Sequence, residues 1–130
     1  MSDKVSASAK DNKAEVWLPA GVTVHVKVKT NSKATQKVAL TSKDGTVDHE
    51  FSGAGEKSMV IGETTITPGA DSPFNAVFEY SGDDNVLKPS KLNCGGPYVI
   101  GNFHMVLVVA ENGDDEDFND TVLEFSWFAK

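Results

Sequence analysis

Hydrophobic and polar residues alternate most cleanly in "VTVHVKVKT", where Val22, Val24, Val26 and Val28 face one way and Thr23, His25, Lys27 and Lys29 the other. A period of two marks a strand with one buried face. His25 falls on the wet face and reads as a surface histidine. Shorter strand-like runs follow at Lys37–Ser42, His49–Ser52, Ser58–Ile61, Glu63–Thr67 and Phe74–Tyr80. The turn-forming stretches "NSKAT", "KDGT", "GAGEK", "TPGADSP" and "SGDDN" lie between them. "KLNCGGPY" punctuates the chain again before "YVIGNFHMVLVVAE", an apolar run too β-branched to favour a helix. Phe103–Ala110 within that run and Thr121–Phe128 at the end are the last expected strands. No helical period persists, so the pattern predicts an all-β fold, an antiparallel β-sandwich of about nine short strands. Met1–Ala14 is small, polar and charged and reads as a flexible arm, with order beginning near Glu15 and one domain over residues 15–130.

The length, 130 residues, suits one domain with one core. Charge changes the picture more than composition does. Net charge is −7, and "ENGDDEDFND", Glu111 to Asp120, carries six carboxylates. The remaining thirteen of nineteen acidic side chains nearly balance the twelve basic ones, so the acidity is local. No basic patch is visible, which argues against nucleic acid. Cys94 is the only cysteine, so neither a disulfide within the chain nor a zinc cluster is expected, and no activating neighbour marks it as a nucleophile. The N-terminus lacks the apolar segment of a signal peptide, which points to cytoplasmic synthesis and leaves open release or display at the cell surface by another route. No apolar run approaches the roughly 20 residues that cross a bilayer, so no membrane insertion is expected.

The acidic stretch joins two apolar strands and is pinned at both ends. Like charges ~5 Å apart repel by roughly 3 kcal/mol at an effective dielectric near 20. No Lys or Arg lies within the stretch, so a cation is the natural compensator. Carboxylate and amide oxygens suit calcium, whereas zinc would want His or Cys. An EF-hand is excluded: Asp115, Asp117 and Asn119 fit its first, third and fifth positions, but Asp120 stands where glycine is needed and Ser126 where glutamate is needed. What remains is an alternating set, Asp115, Asp117 and Asn119, with Asp120 adjacent and Glu111 at the start. In extended backbone the alternating residues point to one side. The charge of Glu111, Asp115, Asp117 and Asp120 is balanced better by two calcium ions than by one.

"NGDDEDFNDTVLEFSW" resembles the C-terminal signature of the bacterial two-calcium fucose/mannose-binding lectins, the LecB-type family. "VWLPAGVTVHVKVKTNSKATQKV" is similar to the first strand pair of that family and "FSGAGEKSMVIGET" to its middle hairpin. The resemblance runs from about Glu15 to Lys130. It implies a β-sandwich holding two adjacent calcium ions that bind sugar hydroxyls directly. By position it implies Glu111, Asp115, Asp117, Asn119 and Asp120 as metal ligands, with Asn31 contributing its backbone carbonyl. It places Ser32, Lys33 and Ala34 in the specificity turn. Sugar contacts extend by resemblance to Glu111, Asn112, Asp114, Asp115, Asp117, Asn119 and Asp120. The family donates its terminal carboxylate across a dimer interface into a neighbour's site, a position held here by Lys130. The implied partners are fucose- and mannose-containing glycans and further copies of the chain, as a homodimer or higher homo-oligomer. Two departures stand out: Lys130 replaces a small terminal residue, and Asn112 stands where the family usually carries aspartate.

A glycosidase would need a carboxylic acid of raised pKa opposite a second carboxylate. Carboxylates facing calcium are held ionised, and His25, His49 and His104 all lie outside the acidic stretch. The reading is therefore a lectin and not an enzyme. The alternative is a structural or assembly protein in which calcium only braces the loop. Trp17 and Trp127 suggest a stacking platform, but Trp127 sits in the apolar "VLEFSWF" and reads as core or interface.

Overall fold

A computed structural model describes residues 5–42, 45, 47–69, 72–82, 86–111 and 120–129, with the backbone alone at residues 56–58 and 72. All its regular elements are strands: β1 (Ser6–Lys10), β2 (Lys13–Leu18), β3 (Val24–Ser42), β4 (Asp48–Ile66), β5 (Ser72–Ser81), β6 (Lys88–Pro89), β7 (Lys91–Ile100), β8 (Phe103–Glu111) and β9 (Thr121–Phe128). Every pairing is antiparallel, in the order β1-β2-β5-β3-β9-β8-β7, with β4 on β3 and β6 on β5. The all-β antiparallel sandwich is the fold expected. Its ends nearly close, because β1 approaches β7.

β3 builds both layers. Its first half, His25–Thr30, pairs with β9, and its second half, Thr35–Ser42, pairs with β5. Burial alternates throughout: Val24, Val26, Val28 and Thr30, then Gln36, Val38 and Leu40, all point inward. Facing them are Leu123, Phe125 and Trp127 from β9, Val106, Val108 and Ala110 from β8, and Ala14, Val16, Leu18, Phe74, Ala76 and Phe78 from the other layer.

Three expectations need correction. "NSKAT" does not reverse the chain; it is a bulged stretch inside β3, where the pairing with β4 shifts register on both sides of Ser32. The runs His49–Ser52, Ser58–Ile61 and Glu63–Thr67 are not separate strands or a self-paired hairpin, since β4 runs through them up to Ile66 and pairs only with β3. β4 nonetheless folds over, because a Cβ on Gly53 would meet Ile61 and one on Gly55 would meet Met59. The glycines of "FSGAG" and "VIGET" let the two halves of β4 approach face to face. "KLNCGGPY" is likewise mostly strand, the body of β7.

The polar arm also needs correction where it is described. Ser6–Lys10 pairs with β2 through the two-residue connection Asp11–Asn12. Asp11 takes φ 56°, a left-handed value that Asp tolerates. Asn12 fastens the hairpin to β5: its Nδ2 donates to the Phe78 carbonyl at 3.0 Å and its own carbonyl accepts from Phe78 N at 2.9 Å. Val5 and Ala7 then pack against the core.

Gly62 gives the sharpest packing test. A Cβ there would clash with Cδ1 of the core residue Phe51. Gly62→Ala therefore forces the ring out of place, and overpacking of this kind costs about 1–3 kcal/mol. The expected result is a melting temperature lower by roughly 5–10 °C in calorimetry. An unchanged melting temperature would contradict the close approach of the two halves of β4.

Candidate functional site

The acidic segment leaves from the end of β8 and returns at the start of β9. Ala110 pairs with Thr121, and Asp120 N donates to the Ala110 carbonyl at 3.1 Å, so the loop is closed at its base. The bulge of β3 lies against this base. Asn31 N donates to the Asp120 carbonyl at 3.1 Å, and Thr30 Oγ1 donates to the same oxygen at 2.8 Å. Residues far apart in the chain, Asn31 and Asp120, thereby become neighbours beside Glu111. The site lies where β3 crosses from one layer to the other, because only there does a strand irregularity meet the open end of the β8–β9 pair.

Glu111 is 1% exposed. A carboxylate this buried persists only where donors or a cation compensate it. At the base of the segment the buried side chains are polar: Thr30, Gln36 and Thr121 are all buried, and Thr121 Oγ1 donates to Gln36 Oε1 at 2.5 Å. The bulge is ordered by its own side chains. Ser32 N donates to Thr30 Oγ1 at 3.3 Å, Ala34 N to Ser32 Oγ at 3.1 Å, and Gln36 Nε2 to the Ala34 carbonyl at 3.1 Å. Ser32 and Ala34 are half-buried and Lys33 is exposed, so the turn presents a mixed polar edge to solvent.

Of the expected ligands, the structure brings together Asn31, Glu111 and Asp120, with Ser32, Lys33 and Ala34 alongside. Asn112, Asp114, Asp115, Asp117, Asn119 and Lys130 lie outside the described residues. The donors assembled here are oxygens, as a hard cation requires. Among the described residues no group of three or more His, Cys, Asp and Glu side chains could hold a metal ion. The described part thus supplies Asn31, Glu111 and Asp120 at the two ends of the acidic segment, with the Ser32–Ala34 turn beside them.

Other features carry less. Burial pushes the Cys94 thiol upward, away from the thiolate a nucleophile needs. Trp127 is 2% exposed and stacks on His104 at 5.5 Å between ring centroids, so it is core. Trp17 Nε1 donates to Glu15 Oε1 at 3.0 Å. A shallow depression over His25, Lys27, Glu63 and Glu124 lies on the outer face of β3, β4 and β9. Its lysine is already paired, Lys27 with Glu63 at 3.5 Å, while Glu124 pairs with Lys29 at 3.2 Å. Sequence reasoning missed Gln36, Thr30 and Thr121. Their signal was phase: counting by twos from Val24 reaches Thr30 and Gln36 at inward positions.

A family model described as fucose-binding lectin II (PA-IIL) matches residues 16–129. Among solved structures, the lectin CV2L of Chromobacterium violaceum in complex with alpha-methyl-fucoside has a TM-score of 0.69 at 24% identity, covering 94% of this chain and 100% of that one. The high-affinity mannose-binding lectin of Ralstonia solanacearum has a TM-score of 0.69 at 22% identity, with coverage of 94% and 100%. The C-terminal domain of the BC2L-C lectin from Burkholderia cenocepacia has a TM-score of 0.71 at 20% identity, with coverage of 93% and 98%. These three likenesses establish the fold. A comparison with curated proteins found no match.

Proposed function

The chain belongs to the fucose-binding lectin II (PA-IIL) family and is a carbohydrate-binding lectin, not an enzyme; from that premise we propose that it binds fucose- and mannose-type sugars through two adjacent calcium ions. The observation that carries the proposal is the closed base of the acidic segment. The segment carries six carboxylates, Asp120 N at its end bonds the Ala110 carbonyl just before its start, and Asn31 bonds Asp120.

Asn31, Glu111, Asp115, Asp117, Asn119 and Asp120 would hold the ions. Calcium held there would supply coordination positions for sugar hydroxyls, a gain that ordinary hydrogen bonds to sugars in water do not offer. The carboxylates of the loop then accept the hydroxyl protons in charge-assisted bonds. Ser32, Lys33, Ala34, Asn112 and Asp114 would contact the sugar. Titration calorimetry of fucose and mannose into calcium-loaded protein tests the reading. Saturable heat with at least one sugar is expected; no heat with either, alongside intact calcium binding, would leave the loop a structural brace.

Self-association follows from β8. Its inward residues His104, Val106, Val108 and Ala110 face the core, yet the outward ones, Phe103, Met105, Leu107 and Val109, are apolar too. Register adds Tyr98 and Ile100 from β7 and Val122 and Phe128 from β9 to that outer face, with Glu124 opposite Leu107 and Ser126 opposite Met105 as its polar members. Ile100 is 77% exposed and Phe128 65%. A strand apolar on both sides is built to be covered on both. No charge falls between Tyr98 and Ala110, and the bordering Lys29 is paired with Glu124, so a second identical face meets no repulsion there. The acidic, net −7 chain lacks the basic rim that a lipid surface would attract. The chain end lies beside the β7–β8 turn, where Ala129 N donates to the Asn102 carbonyl at 2.8 Å. Ala129 is a strand's length, roughly 27 Å, from Asp120 at the other end of β9. A Lys130 carboxylate acting as ligand would therefore serve a neighbouring copy, as two faces packed with antiparallel strands permit. The expected result by light scattering is a dimer or larger for the native protein and a monomer for Ile100→Asp combined with Phe128→Asp. A native monomer would remove the proposal.

A further inference from the structure

The bulge of β3 lacks the support an ordinary strand has. Between Thr30 and Gln36 its pairing to β4 is interrupted by two register shifts, with only Ser32 opposite Gly55, and pairing to β5 begins only at Thr35. Bonds outside the ladder help to hold Asn31–Ala34 against the base of the acidic segment. The Gln36 amide is placed to do so. It is fully buried among the inward positions that elsewhere on β3 are filled by Val26, Val28, Val38 and Leu40. An amide at such a position costs stability unless it is hydrogen-bonded. Here both ends are used: Oε1 accepts from Thr121 Oγ1, and Nε2 donates to the Ala34 carbonyl at 3.1 Å. At the other end of the turn, Thr30 Oγ1 and Asn31 N both bond the Asp120 carbonyl. The turn is bracketed, with Thr30 and Asn31 tied to Asp120 and Ala34 tied through Gln36 to Thr121.

We propose that Gln36 is a positioning residue that, with Thr121, locks the Asn31–Ala34 turn to the exit of the acidic loop and so sets how the site discriminates between sugars. The inference rests on the lectin reading for its sugar consequence. The mechanical tie rests on the hydrogen bonds alone. Ser32, Lys33 and Ala34 then keep a fixed offset from Asp120, and a sugar seated between them is measured against a rigid edge. If the tie is cut, the turn and the loop move independently, and sugars that differ in one hydroxyl are told apart less well.

The test uses Gln36→Met, which keeps the shape without the amide, Thr121→Val, which keeps the volume without the hydroxyl, and Thr121→Ser, which restores the hydroxyl. Leu18→Ala serves as a destabilised control outside the network. Two measurements are made: the ratio of fucose to mannose dissociation constants in calcium, and amide hydrogen exchange of Ala34 and Asp120 in chelated protein. Gln36→Met and Thr121→Val are expected to weaken the better sugar about tenfold, the effect of one or two hydrogen bonds. They should also change the fucose-to-mannose ratio and speed exchange at both amides together. Thr121→Ser should restore both measurements, and Leu18→Ala should leave the ratio unmoved. Faster exchange with an unchanged ratio would reduce Gln36 to a structural residue and overturn the proposal, as would native exchange at both amides in Gln36→Met. If the native protein binds neither sugar, the lectin reading falls on that result alone, while joint acceleration at Ala34 and Asp120 would still uphold the tie.

Discussion

Chelating divalent cations is expected to abolish sugar binding, raising the dissociation constant more than a hundredfold, and to lower the melting temperature by about 10 °C. The second figure follows from linkage: a ligand present at a thousand times its dissociation constant stabilises the folded state by about 4 kcal/mol, and each kcal/mol moves the melting point of a domain this size by a few degrees. The cause is the confinement of charge. Six carboxylates lie between Glu111 and Asp120, and the segment is closed by Asp120 N donating to the Ala110 carbonyl. Without cations their mutual repulsion opposes closure, at roughly 3 kcal/mol for each close pair before solvent and salt weaken it. Salt therefore provides a second check. Raising sodium chloride should stabilise the chelated protein by screening and leave the calcium-loaded protein nearly unchanged. Scanning calorimetry and sugar titration with and without chelator measure both effects. A melting temperature indifferent to calcium, with sugar binding that survives chelation, would end the calcium reading.

The two ends of the chain's ordered pattern differed in how legible they were. Thr121–Phe128 was readable because alternation of apolar and polar residues reports burial of one face directly, and β9 has those bounds. The first half of β3 was readable for the same reason. β4 was not. Gly53, Gly55 and Gly62 look like turn residues, but at least Gly53 and Gly62 serve close approach of the two halves of β4, a packing requirement that neither turn propensity nor strand period reports. β1 was missed because Ser, Ala and Lys are weak strand formers; its order comes from Asn12 bonding Phe78, a contact across the fold. At the site, residue types alone pointed to oxygen ligands in the acidic segment. The union of Asn31 with Asp120 depended on the pairing of β3 with β9, and Asn31 was found only through family resemblance. Gln36 was missed because polar residues in a strand are expected outside, and its inward position becomes plain only when the alternation is carried unbroken through the bulge.

Replacing Glu111 with glutamine is expected to separate function from folding. Glu111 is fully enclosed at 1% exposure, at the last position of β8, where the acidic segment begins. A buried carboxylate is a net cost to a fold unless it is compensated; where the compensation comes from a bound cation, removing the charge within the same shape relieves that cost once the cation is gone. Glu111→Gln leaves no cavity, so in chelated protein the melting temperature should stay level or rise. In calcium the outcome reverses. The neutral amide is a poorer ligand for a hard divalent ion, so the stabilisation on adding calcium should largely vanish and sugar affinity should fall more than a hundredfold, about 3 kcal/mol. Asp120→Asn provides the contrast. The backbone of Asp120 carries the bonds to Thr30, Asn31 and Ala110, and those survive the substitution, so its loss should be confined to the calcium-dependent terms as well. The opposite pattern is decisive against the ligand role. If Glu111→Gln unfolds the chelated protein by several kcal/mol, the carboxylate is part of a structural network. Its burial would then be explained by donors of the protein rather than by a cation.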